Sequence, residues 1–183
     1  ASILVGWIPG GLAAISVVAS MIFGGMSGSA AADAACIGGI MIPAMKRKKY
    51  SASYASAVIA SAGTIGVIIP PSIPMVLYAF VSGVSLGDLF LGGFIPGVIV
   101  GVSLIITALW IALKNGYPTE PFGKPKEILK VFIECVPALM APVIILGGIF
   151  SGIVTPTEAA VIAVIYALLV GFVIYRELKI SDL

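Results

Sequence analysis

Long apolar runs alternate with short polar breaks along this chain, and the runs have the length of membrane spans. Residues 1–24 are almost wholly apolar, and Ala30 to Met45 follows as a shorter partner. Tyr50 to Phe80, Leu89 to Leu113, residues 131–151 and Ala159 to Tyr175 complete the series. The full runs each supply roughly 20 apolar residues, enough for a helix to cross about 30 Å of hydrocarbon. The pattern predicts an all-α polytopic membrane protein.

Two runs are interrupted where a plain span would not be. The stretch "FGGMSGSAAADAA", residues 23–35, places three glycines, two serines and Asp33 between apolar segments. It predicts either two crossings or a re-entrant hairpin opening to one side, with "GMSGSA" as its tip. The second interruption, "SAGTIGVIIPPSIP" at residues 61–74, lies in the middle of the Tyr50-to-Phe80 run. Pro70 and Pro71 each remove an N–H and block the preceding turn, Gly63 and Gly66 loosen the other side, and Pro74 follows. The run should be two half-helices joined by an unwound segment around residues 63–71.

Unwound backbone in hydrocarbon leaves peptide groups unpaired, so it persists only where it is buried in protein or lines a cavity. Broken helices near the bilayer midplane are where secondary transporters hold ions and substrates. Freed carbonyl oxygens suit a dehydrated alkali cation, and half-helix N-termini suit a carboxylate. Ser27, Ser29, Thr64 and Ser72 add hydroxyls. Backbone carbonyls should do most of the binding, so Ser27→Ala is expected to be milder than a backbone-disturbing Ser27→Pro or Gly66→Val.

Composition agrees with the spans. The chain is 60% hydrophobic and 10% charged, with a mean hydropathy of +1.20, whereas soluble domains carry about 25% charged residues. A net charge of +2 gives no ground for a nucleic-acid partner. Cys36 and Cys135 lie in apolar surroundings and are expected to be small buried residues. No signal peptide is recognisable, and the chain, beginning with Ala inside an apolar run, reads as part of a longer permease-like protein.

The basic residues fall in three clusters: Lys46 to Lys49 ("KRKK"), then Lys114, Lys124, Lys126 and Lys130, then Arg176 with Lys179. Placing all three on the cytoplasmic face satisfies the positive-inside rule and demands an even number of crossings between clusters. The apolar runs supply that number. Residues 1–113 then form an N-terminal membrane half and 114–130 a cytoplasmic connector, whose "KEILKVFIECV" can begin as an interfacial helix. Residues 131–183 form the start of a second, truncated half.

Three segments in order, "FGGMSGSAAADAACIGGIMIPAM", "GTIGVIIPPSIPMVLYA" and "GIVTPTEAAVIAVIYAL", resemble the large membrane (permease) subunit of tripartite ATP-independent periplasmic (TRAP) transporters. The resemblance covers nearly the whole chain. It implies an elevator-type secondary transporter of the bacterial inner membrane, driven by a sodium gradient. A small TRAP membrane subunit and a periplasmic substrate-binding protein would be its partners, and organic acids such as dicarboxylates, keto acids or sialic acid its substrates. It further implies that Ser27, Gly28 and Ser29 at the tip face Gly63, Thr64 and Gly66 in the break and hold sodium largely through carbonyls. Asp33, Pro70, Pro71 and Ser72 would support that site. No organic cofactor is implied. A second hairpin and a second broken helix, usual in the family, do not occur before Leu183. Lys49 also departs from the pattern, standing where a glycine before the tyrosine is more typical.

Two acids call for separate treatment. Asp33 either closes the hairpin through neighbouring backbone and serine hydroxyls or contacts ion or substrate directly. Glu158 belongs to "TPTE", a helix start with Thr155 as N-cap, Pro156 first, Thr157 second and Glu158 third. That segment is expected to be an outer-face turn entering an ordinary span. Glu134 is expected near a helix end beside the connector. Two alternatives stand against the TRAP assignment: a sodium- or proton-coupled carrier without a binding protein, and an intramembrane serine protease built on "GMSG". The protease lacks a base, because the chain has no histidine and a serine nucleophile needs one.

Overall fold

The computed structural model of the chain describes residues 9–117 and 125–175. Among the described residues the secondary structure is entirely helical. Helix α1 (Gly11–Ser27) and helix α2 (Ala30–Arg47) form an antiparallel pair, followed by α3 (Ala52–Gly63), a 3-10 turn (Thr64–Val67) and α4 (Ile73–Ser82). Helix α5 (Leu86–Lys114) is long and apolar enough to cross a membrane, and so is residues 157–174 later in the chain. The chain divides into two compact units, Ala1–Pro125 and Lys126–Leu183.

Serines start the helices of the first unit. Ser29, Ser51 and Ser85 cap α2, α3 and α5, accepting from Ala32 N at 3.4 Å, Tyr54 N at 3.2 Å and Asp88 N at 3.3 Å. Each satisfies one donor that a helix start leaves orphaned. The expected break is present: α3 stops at Gly63, tightens into the 3-10 turn, and helix resumes only at Ile73 with Pro74 in its first turn. Pro71 cannot donate to the Val67 carbonyl, and the Ser72 hydroxyl takes that carbonyl instead, at 2.8 Å.

Helix α5 packs through a stripe of small residues against α4, the break and α1 in turn. Side chains added at Gly93, Gly97 and Gly101 would collide with Met75, Ile69 and Met21 respectively. Such small-xxx-small seams let membrane helices approach closely. At the opposite end the rings of Tyr50 and Tyr117 stack at 4.4 Å, and Tyr54 donates to the Ala108 carbonyl at 2.6 Å. Outward residues are strongly apolar; Phe80 is 86% and Val81 85% exposed. Water would penalise that surface, whereas lipid tails solvate it.

In the second unit, α6 (Pro125–Phe150) and α7 (Pro156–Leu169) are joined by a turn, and a π-helical segment (Val170–Ile174) continues α7. Tyr166 donates to the Pro137 carbonyl at 2.7 Å, pinning the pair. Helix α6 starts inside the anticipated connector and runs unbroken, so Glu134 lies well within it and not near a helix end. Residues 118–124, with Lys124, and the cluster of Arg176 and Lys179 fall outside the described residues.

Both cysteines contradict the sequence expectation: Cys36 and Cys135 are exposed. Apolar neighbours in sequence signal burial only when the surrounding solvent is water. A membrane helix can place a thiol on its lipid-facing side at no comparable cost, so the inference does not carry over.

The "TPTE" start forms as expected. Thr155 N and Oγ1 both donate to Glu158 Oε2, at 2.7 and 2.8 Å, and Glu158 N donates back to Thr155 Oγ1 at 3.3 Å. This closes a capping box with Pro156 in the first turn and Thr157 following. Thr155→Ala is expected to lower stability by about 1 kcal/mol. The check is a lower unfolding midpoint.

Candidate functional site

The site is built where the α1–α2 tip meets the break. Helix α1 ends at Ser27, and Gly28 turns the chain with φ 61, its N–H bonded to Gly24 O at 2.9 Å. That left-handed conformation suits glycine. Ser29 then caps α2, and Asp33 sits in the first turn of α2. There the helix dipole favours negative charge.

Asp33 is fully buried. Its Oδ1 accepts a hydrogen bond from Ser27 Oγ, and Ser27 Oγ in turn accepts from Ser29 N at 3.2 Å. The tip is thereby cross-braced from one helix to the next. The other oxygen, Oδ2, is buried without a hydrogen-bond partner among the described residues. It lies against two glycines: a methyl group added at Gly24 would stand 2.9 Å from it, and one added at Gly66 would overlap it outright. Gly24 and Gly66 also touch, since a Gly24 Cβ would fall 2.6 Å from Gly66 Cα. Two helices of the hairpin and the 3-10 turn therefore meet at one carboxylate.

The tip meets the far side of the break through backbone. Ile73 N, the first N–H of α4, donates to Gly28 O at 3.4 Å. A Cβ at Gly28 would approach Pro71 O at 3.0 Å and Ile73 N at 2.9 Å, and one at Gly25 would approach Pro70 O at 3.3 Å. No backbone N–H among the described residues donates to the Pro70 or Pro71 carbonyl. An open hollow of about 210 Å³ lies beside this junction, lined by Met26, Ser27, Gly28, Pro71, Ser72 and Ile73 among others. Gly63 packs close to the start of α2, where an added Cβ would stand 3.0 Å from Ala30 O.

Most of the residues singled out in the sequence therefore converge: Ser27, Gly28, Asp33, Gly63, Gly66, Pro70, Pro71 and Ser72. Thr64 stands apart, with an exposed side chain whose hydroxyl donates to Ser61 O at 2.7 Å. Thr155 to Glu158 belong to the other unit. Between the two readings of Asp33, the bond to Ser27 displays the brace. Missed from the sequence were Gly24, which admits the carboxylate, and Gly93 and Gly97, which seat the break. The i, i+4 glycine spacing on α5 was the available signal.

All of residues 1–183 match the family described as "Tripartite ATP-independent periplasmic transporter, DctM component". The chain belongs to the TRAP large permease family. It is 47% identical over 175 residues to the C4-dicarboxylate TRAP transporter large permease protein DctM of Vibrio cholerae, covering 96% of this chain and 39% of that protein. Identity to the sialic acid TRAP transporter large permease protein SiaM of the same organism is 44%, with 97% of this chain and 42% of that protein covered. The 2,3-diketo-L-gulonate TRAP transporter large permease protein YiaN of Escherichia coli K12 is 43% identical, with 98% and 42% covered. The TRAP chain thus spans about two fifths of the length of the curated relatives it matches.

Proposed function

We propose that this chain forms the cation-binding half of a sodium-driven TRAP transporter that moves an organic acid across the bacterial inner membrane. The observation that carries the proposal is the junction of the "GMSGSA" tip with the break. There Gly28, the Pro70 and Pro71 carbonyls and the N-terminus of α4 come together. Carbonyl oxygens without helical partners are hard ligands for a small cation, and the α4 N-terminus offers N–H groups and a positive dipole end to a carboxylate.

The hairpin is re-entrant in this proposal. The break beside Gly28 lies level with Gly93 on α5, and α5 starts at Leu86, about 10 Å further on at 1.5 Å per residue. A tip that stops short of the far surface leaves its polar backbone inside the membrane, where only a cavity or a ligand can satisfy it.

The substrate class rests on the relatives, whose names specify a C4-dicarboxylate, sialic acid and diketogulonate, all organic acids. The partners are a small membrane subunit and a periplasmic binding protein. The test is uptake of a labelled organic-acid panel by the full-length protein in proteoliposomes with both partners, with and without an inward sodium gradient. Uptake that needs both sodium and the binding protein is the expected result. Sodium-driven uptake without a binding protein would move the protein to an autonomous carrier class. Sodium-independent uptake of every substrate would remove the cation site.

A further inference from the structure

Two helices of the first unit end in the same way, at the end opposite the tip. Helix α2 closes with Lys49 N donating to Lys46 O at 3.0 Å and Tyr50 N reaching back to Met45 O at 3.1 Å. Helix α5 closes with Gly116 N on Leu113 O and Tyr117 N on Ala112 O, both at 3.2 Å. Each is a Schellman turn, in which a left-handed residue folds the next one back over the last helical turn. The left-handed residue is Gly116 at φ 64 in α5 and Lys49 at φ 65 in α2. Glycine takes that conformation freely and lysine does not. In both turns the residue folded back is a tyrosine, and the residue it bonds, Met45 or Ala112, is fully buried.

The two turns deliver their rings to one place. Tyr50 and Tyr117 stack at 4.4 Å, and Tyr54 lies 6.0 Å from Tyr50 and 5.2 Å from Tyr117. Tyr54, in the first turn of α3, donates to Ala108 O on α5 at 2.6 Å. The Tyr117 hydroxyl sits at the N-cap of α3, donating to Ser51 Oγ at 3.0 Å and accepting from Ser51 N at 3.4 Å. Ser51 Oγ also accepts from Tyr54 N. The ends of α2, α3 and α5 are therefore tied through three rings and one hydroxyl. From Tyr117 the chain runs on towards the second unit, which begins at Lys126.

On the transport reading above, we propose that Tyr50, Tyr54 and Tyr117 are a clasp that passes movement between the connector and the ion site, with Tyr117 as the positioning residue. Helix α2 has 18 residues, so at 1.5 Å per residue the clasp lies about 27 Å from the tip and cannot touch ion or substrate. Its place is where the chain leaves the unit. A pull on a connector joined to α5 alone would load the glycine seam of that helix. A pull on Tyr117 is shared at once by α2 and α3, through the stack and through Ser51. The tip and the break then move together, and the site they form keeps its geometry during transport.

The test uses the full-length protein, and amide hydrogen exchange comes first because it needs no transport. Tyr117→Ala removes a stack and two hydrogen bonds, so exchange at Tyr50 N and Tyr54 N should quicken about thirty-fold. Exchange at Gly28 N and Asp33 N, at the tip, should not change. Tyr117→Phe keeps the ring, should quicken exchange at Tyr54 N about five-fold, and covers the case in which the alanine variant fails to fold. In proteoliposomes with both partners, each variant should lower the maximal rate of sodium-driven uptake, alanine more than phenylalanine. The half-saturating sodium concentration should stay at its wild-type value. Faster exchange at Gly28 N and Asp33 N, or a shifted half-saturating sodium concentration, would overturn the proposal, because a purely structural role would spread to the site. A full uptake rate despite faster exchange at the clasp would overturn it too, as would unchanged exchange at Tyr50 N and Tyr54 N. Failure of the transport reading is a separate result: wild type itself would show no sodium-driven uptake while the exchange differences remained, leaving the clasp no movement to carry.

Discussion

Gly66→Ala is expected to abolish sodium-dependent uptake and to destabilise the full-length protein by about 3 kcal/mol, at the upper end for an overpacked interior. The added methyl would overlap Asp33 Oδ2 and stand 2.9 Å from Asp33 Cγ. Gly24, on the other side, is already in contact with Gly66, so the carboxylate has no room to retreat towards α1. The clash must be relieved by moving the 3-10 turn away from the hairpin or by swinging Asp33 off Ser27. Either movement separates the two elements that would hold the ion. Unfolding midpoints and sodium titrations of uptake, measured on the same preparation, test this. A variant of normal stability and normal sodium dependence would show that the Gly24–Asp33–Gly66 contact does not shape the site.

Ser27→Ala is the second substitution with a large expected effect, and here the structure revises the sequence expectation. Carbonyl coordination alone would make the loss of one hydroxyl mild. The hydroxyl, however, bonds a fully buried carboxylate whose other oxygen has no hydrogen-bond partner among the described residues. Removing it leaves both Asp33 oxygens without protein hydrogen bonds, and stranding a buried polar group costs about 1–3 kcal/mol. Asp33→Ala should cost a similar amount by freeing Ser27. The double variant should be little worse than either single one, with a coupling of about 1–2 kcal/mol, because residues in direct contact are non-additive. Additive losses would mean that the Ser27–Asp33 bond contributes nothing to the tip. Asp33→Asn, which can still accept from Ser27, should lie between wild type and Asp33→Ala in both stability and sodium response.

The α3–α4 break was legible in the sequence because its cause is local. Pro70 and Pro71 in succession have no N–H to donate, and Gly63 and Gly66 loosen the chain before them, so helix gives way there, whereas the single prolines Pro43, Pro96, Pro137 and Pro142 lie within continuous helices. The capping box at Thr155–Glu158 was legible for the same reason: its partners are three residues apart. The tip was legible as an interruption, from serines and glycines crowded into an apolar run. The cysteines misled because burial was inferred from apolar neighbours, and that rule assumes an aqueous exterior.

A bond from Asp33 to a serine hydroxyl was one of the two readings the sequence offered, but the way Asp33 ties the tip to the break was not legible. Its partner Ser27 is six residues away, across a turn whose geometry depends on the left-handed Gly28, and its Oδ2 rests on Gly66, which a chain pattern cannot bring near. Gly24, Gly93 and Gly97 were equally silent, since a glycine's lack of a side chain matters only once something occupies the space.

The sequence by itself determined the solvent, the helical class, the places where helices must break and the family to which the chain belongs. These follow from hydropathy and backbone chemistry, which act residue by residue. Only the tertiary structure decided that the tip and the break close on one buried carboxylate between two glycines, and that Thr64 turns away while Ser72 holds the Val67 carbonyl. Those outcomes depend on which surfaces come within van der Waals contact, and packing fixes that among distant segments all at once.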